Sequence, residues 1–183
     1  MTREIVEAAR HGDQGAFMQL VQQHGDRLYA FAYRIVRDAD GARDALQDAF
    51  VLAWRDLPTL REPERFEAWL QRLLTNVCIA QASLERRRRT PLDSLTADAP
   101  SFANDFASVD NRDQIDRGFR RLKPDERALL VLRHYAGYEP GEIATVLGIP
   151  AGTVRSRLHH AHQRMRAALD AEARAASIQG ETA

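Results

Sequence analysis

Apolar residues recur every three or four positions over almost all of residues 14–88, the period of helices that bury one face. Phe17, Leu20, Val21, Leu28, Phe31, Ala32 and Ile35 mark a first stripe, and Ala42, Ala45, Leu46, Ala49, Phe50 and Ala53 a second. Two interruptions carry cap and turn chemistry: residues 38–41, with two aspartates and a glycine, and residues 57–63, with Pro58 and Pro63. About four helices are predicted across 14–88, their stripes read as core, with Phe50 and Trp54 among the core residues.

Periodicity fades after the arginine run at 86–89. Residues 90–112 are rich in proline, serine, alanine and acids, the composition of a flexible linker. Helical pattern resumes near Asp113 and pauses at Lys123, where Pro124, Asp125 and Glu126 mark a new helix start. It then runs to Tyr135, before Gly137.

Residues 142–157, EIATVLGIPAGTVRSR, read as two short helices around a glycine turn. Ala144 is small where two helices must cross closely, Gly148 can adopt a left-handed turn conformation, and Val154 returns an apolar contact. The second helix, roughly 150–169, places Val154, Leu158, Ala161, Met165 and Leu169 on one face. No acid occurs between Glu142 and Asp170, whereas Arg155, Arg157, Arg164 and Arg166 do, with His159, His160 and His162. That asymmetry suits phosphates and base edges. The start of such a helix enters the major groove first, which makes Thr153, Arg155, Ser156 and Arg157 candidate base readers or phosphate clamps. His160, on the same basic stretch, is grouped with them. A merely solvated amphipathic helix would show the same charges without the preceding glycine turn.

At 183 residues the chain accommodates one ordinary domain or two small ones, each with a modest core. Its zero net charge conceals local patches: 14 basic against 13 acidic residues over 1–89, one against four over 90–112, and 11 against nine over 113–183. No stretch approaches the ~20 apolar residues of a membrane span, and the first residues lack a secretory pattern, so a cytoplasmic protein without membrane insertion is expected. The lone Cys78 has no partner for an internal disulfide, and its apolar neighbours Val77 and Ile79 suggest a buried or partly buried thiol. The histidines at 159, 160 and 162 invite a metal reading. Adjacent helical positions point in different directions, however, and no cysteine is near, so no metal and no cofactor are expected.

The motifs together resemble the extracytoplasmic-function (ECF) sigma factors, the small bacterial promoter-recognition subunits of RNA polymerase. Two separated blocks carry the resemblance: YRIVRD at 33–38, ARDALQDAFVLAW at 42–54, FEAWL at 66–70 and NVCI at 76–79, then residues 122–158. It implies an all-α fold of two small helical domains joined by a flexible acidic linker, the C-terminal one containing the helix-turn-helix. The expected division is 1–89 for core binding and minus-ten recognition and melting, 90–112 for the linker, 113–175 for minus-thirty-five recognition, and 176–183 for a tail.

The resemblance further implies an alternative sigma factor with no enzymatic activity and no catalytic residues. Its partners are the clamp of core RNA polymerase, promoter DNA and a separate anti-sigma factor. Asp44, Gln47 and Asp48 match the clamp-binding surface, at a spacing that puts them on one helix face. An enzymatic pairing of Asp44 with Asp48 lacks a nucleophile, a cleft and a nearby histidine. Trp69, Arg72 and Asn76 fall where the family captures unstacked minus-ten bases, and Arg86, Arg87 and Arg88 could hold backbone phosphate. Trp69 equally fits a core stripe with Phe66, Leu70, Leu73 and Val77. Residues 57–63 occupy the place of the family's pocket for a flipped base.

Two departures from the family pattern stand out. Residues 80–85, AQASLE, replace an expected aspartate and closely spaced basic residues, and residues 139–141 begin a helix where the family often has a serine or threonine cap. The first motivates an alternative, a sigma mimic that binds a regulator or core polymerase without productive promoter recognition. A stand-alone helix-turn-helix repressor is a third reading, which leaves the Asp44, Gln47, Asp48 face unexplained.

Overall fold

The computed structural model describes residues 2–88 and 109–180, and every regular element in them is helical. The helices are α1 (Thr2–Arg10), α2 (Gln14–Val36), α3 (Ala39–Asp56), α4 (Phe66–Arg88), α5 (Val109–Arg121), α6 (Pro124–His134), α7 (Pro140–Leu147) and α8 (Ala151–Gly180). Short 3-10 turns at Leu57–Thr59 and Pro63–Arg65 join α3 to α4. The chain divides into two compact units, one holding α1 to α4 and the other α5, α6 and α8.

In the first unit α2, α3 and α4 pack on one another and α1 lies against α2. Leu20, Phe31, Ile35, Phe66 and Leu70 of the predicted stripes form its centre, fully or almost fully buried, joined by Leu74, which the pattern had not included. Burying each such side chain contributes about 1.5–3 kcal/mol before the entropy of ordering it is subtracted. On α3 the inward positions are Ala42, Ala45, Ala49 and Ala53, all buried, and their small size lets the helix approach its neighbours closely. Three α-helices, not four, occupy residues 14–88, and the fourth is α1. With only nine residues α1 is too short to be stable alone, and it is held by Val6 and Ala9, which are buried.

The breaks have local causes. Gly12 takes φ +95°, turning the chain into Asp13, whose Oδ1 accepts the Ala16 N–H at 3.0 Å and caps α2. Arg37 ends α2 in the left-handed region at φ 66° and donates its N–H to the Tyr33 carbonyl at 2.8 Å. Asp38 then caps α3 through the Gly41 N–H at 2.7 Å. The predicted interruption at 38–41 thus shifts to Arg37 and Asp38, and residues 39–41 belong to α3.

In the second unit α8 packs against both α5 and α6. Gly118 brings α5 close to α8: a Cβ there would come within 3.0 Å of the Met165 thioether. Val154, Leu158 and Ala161 are buried along α8, with Met165 and Leu169 half-buried, as the pattern predicted, and Ala168, which the predicted stripe did not include, is buried too. The helix continues to Gly180, beyond the predicted end near 169, and α5 begins at Val109, four residues before Asp113. The expected linker over 90–112 otherwise lies outside the described residues, as does Arg89.

Candidate functional site

The turn between α7 and α8 starts from a backbone requirement. Gly148 adopts φ +66°, a conformation that costs L-residues about 1–2 kcal/mol. That turn closes with the Ile149 N–H donating to the Ala144 carbonyl at 3.1 Å, and α8 opens with the Val154 N–H donating to the Pro150 carbonyl at 3.1 Å. Upstream, Glu142 Oε2 accepts the Glu139 N–H at 2.7 Å, the glutamate half of a capping box, which holds the start of α7 through a different donor from the one a serine or threonine hydroxyl would engage. Pro140 at the first helical position removes an N–H that would have had no helical partner.

With Val154 and Leu158 buried, the helical period turns Arg155, Ser156 and Arg157 outward, and all three are exposed; Thr153 is half-buried. The Ser156 hydroxyl donates to the Thr153 carbonyl at 3.0 Å, while His159 and His160 are exposed one turn further on. Two members of the predicted basic face behave differently. Arg164 does not project as a free cation: its Nη1 donates to Glu126 Oε1 of α6 at 2.6 Å, and the other oxygen of that buried carboxylate accepts the Lys123 N–H at 3.0 Å. His162 faces α6 as well, with its Nε2 at 2.8 Å from His134 Nε2. Neither partner was anticipated, because Glu126 and His134 lie 38 and 28 residues away in sequence.

In the first unit Asp44, Gln47 and Asp48 are all exposed on α3, opposite its buried alanines. Asp48 is partly engaged, since its Oδ2 accepts from Gln81 Nε2 at 3.0 Å. The departing stretch 80–85 is thereby tied to α3, with Ala82 buried beneath it. The same exposed face continues through Val51, 62% accessible, to Trp54, 36% accessible. The expectation that Trp54 is core is therefore corrected: its ring rests on Phe17 with centroids 5.0 Å apart but borders solvent, and Phe50 is half-buried beside it. An alanine-lined inner face leaves the bulky residues of α3 on its flanks.

On α4 Arg72, Asn76, Arg86, Arg87 and Arg88 are exposed, and Arg88 lies 3.6 Å from Glu85. Trp69 is half-buried, its ring 6.1 Å from that of Phe66, and shares one flank of the helix with the half-buried Leu73 and Val77. Trp69 therefore sits at the edge of the core, neither fully buried nor fully exposed. Within 57–63, Leu57, Leu60 and Pro63 are buried whereas Pro58, Thr59, Arg61 and Glu62 are exposed. Arg10 of α1 braces this loop by donating to the Leu60 carbonyl at 3.2 Å.

Cys78 is fully buried, and burial pushes its thiol up to about 12, leaving an inert neutral group. Burial also lowers the pKa of His24, with Glu67 opposing and Arg27 reinforcing; its Nε2 is buried without a hydrogen-bond partner. Among the described residues no three potential metal ligands cluster, and no helix is long and apolar enough to cross a membrane.

Comparison with known proteins assigns both units. The Sigma-70 region 2 model matches residues 20–90 and the Sigma-70, region 4 model matches residues 112–165. RNA polymerase sigma-H factor of Pseudomonas aeruginosa is 36% identical over 181 residues, covering 91% of this chain and 93% of the relative. The ECF RNA polymerase sigma-E factor of Escherichia coli K12 is 30% identical over 171 residues, covering 87% of this chain and 89% of the relative. Among solved structures, CnrH in complex with the cytosolic domain of CnrY superposes with a TM-score of 0.65 at 28% identity, covering 93% of this chain and 97% of that one. The chain belongs to the sigma-70 family, in its ECF group. It is an alternative sigma factor that directs RNA polymerase to promoters, an initiation factor and not an enzyme.

Proposed function

We propose that the two units divide promoter-directed initiation between them, with residues 1–89 binding the polymerase clamp and the minus-ten element and residues 113–175 reading the minus-thirty-five element. Residues 90–112 connect them, and 176–183 form the tail. The observation that carries this reading is the outward presentation of Arg155, Ser156 and Arg157 at the start of α8, over a buried Val154 and Leu158. Those three, with Thr153 and His160, contact the upstream element: an arginine can grip guanine bidentately or hold phosphate.

Asp44, Gln47 and Asp48 dock on the clamp, and the exposed Val51 and Trp54 extend that face with apolar area. A docking face with polar groups beside an exposed aromatic residue has the composition of a protein interface. Asn76 and Arg72 present an amide and a cation to the opened strand, with Trp69 beside them as a stacking edge. Arg86, Arg87 and Arg88 hold backbone phosphate without reading sequence. The chemistry of RNA synthesis belongs to the polymerase.

The neighbouring CnrH structure is a complex with the cytosolic domain of CnrY, which supports control of this chain by a separate anti-sigma protein. The site of action is the cytoplasm, in keeping with the family.

The test is reconstituted transcription with the purified full chain and bacterial core RNA polymerase on fragmented genomic DNA, with starts mapped. Discrete starts sharing upstream sequence are expected. Core binding with no starts would instead favour the mimic, and the absence of both would overturn the division of labour.

A further inference from the structure

We propose that His134 and His162 bind one divalent transition-metal ion of tetragonal preference, such as Ni2+, and that the ion clips the end of α6 to α8. The two Nε2 atoms lie 2.8 Å apart, with the rings at 85° to each other. Two imidazole nitrogens each about 2.05 Å from a metal, at a cis angle of about 90°, are about 2.9 Å apart, whereas a tetrahedral angle separates them by about 3.3 Å. The hydrogen-bonded spacing of 2.8 Å would lengthen by only about 0.1 Å for the cis arrangement of a square-planar or octahedral ion, against about 0.5 Å for a tetrahedral one.

The tautomers needed are at hand. His162 Nδ1 is 2.7 Å from the Leu158 carbonyl, which can only accept, so the proton sits on Nδ1 and the Nε2 lone pair is free for ligation. In the metal-free pair His134 Nε2 donates its proton to that lone pair. On metal binding the His134 proton moves to Nδ1, both Nε2 atoms turn their lone pairs onto the ion, and no net proton is released.

Local charge also permits a cation. Arg133 is paired with Glu139 at 2.6 Å and Arg164 with Glu126 at 2.6 Å, so each of these two guanidinium groups is offset by a carboxylate. Both histidines are exposed, leaving the remaining coordination positions to water. No third protein ligand joins them among the described residues, which fits an exchangeable site rather than a closed structural one.

Calorimetric titration of the full chain with Ni2+ in a non-chelating buffer tests the site. One equivalent should bind and raise the melting temperature, with affinity falling at least about tenfold in His134→Ala and in His162→Ala. The double variant His159→Ala, His160→Ala should bind as the wild type does. His162→Gln retains an acceptor for His134 but no imidazole, so lost binding with unchanged circular dichroism supports ligation rather than packing. The proposal is overturned by no binding in the wild type, by binding that survives His162→Gln, or by equal loss in the 159/160 double variant.

Discussion

Single side chains here divide into those whose role follows from local chemistry and those decided by a distant partner. Arg155 is of the first kind, exposed one position after the buried Val154. Arg155→Ala should weaken binding to the upstream promoter element by about 1–3 kcal/mol if it reads a base, and most strongly on the preferred sequence. A uniform loss across sequences, with a shallower salt dependence, would reassign it to phosphate. His24 is of the second kind. Its folded pKa lies below the ordinary 6.5 because burial disfavours the cation, so the unfolded chain takes up the proton first. Stability should therefore fall as pH drops through about 6.5 toward the folded pKa. Melting curves between pH 7.5 and 5.5 should show a smaller fall for His24→Leu than for the wild type; an equal fall would show that His24 does not carry it.

The helices were set by periodicity, and their ends by single capping residues. Asp38→Ala removes the acceptor for the Gly41 N–H and should cost about 1 kcal/mol, read as a lower melting temperature of the full chain. Gly148→Val forces a β-branched residue into φ +66°, a strain of about 1–2 kcal/mol or more. Because the turn directs α8, this variant should lose upstream-element binding while retaining core binding in a pull-down; unchanged DNA affinity would show that the turn does not aim the helix. Periodicity missed α1 because nine residues give too few repeats, and it overestimated the helix count in 14–88 because the proline-bounded loop forms 3-10 turns.

For the whole molecule the decisive interactions are with polymerase. Gln47→Ala combined with Asp48→Ala should reduce core binding and leave promoter-element affinity of the full chain intact. Val51→Glu, at a residue 62% accessible and outside the core, should do the same without lowering the melting temperature. Loss of stability in place of core binding would return the α3 face to a structural role.

The sequence alone was sufficient for the all-α class, the two helical blocks, the buried Cys78 and the exposed faces bearing Asp44, Gln47, Asp48, Arg155 and Arg157. All of these depend on a residue's own chemistry and its helical phase, which are local properties. Tertiary structure alone decided that Trp54 borders solvent, that Glu126 engages Arg164, that Gln81 ties back to Asp48 and that His134 meets His162. Each of those outcomes depends on which helix lies opposite, and pairings across 28 to 38 residues leave no periodic trace in the chain.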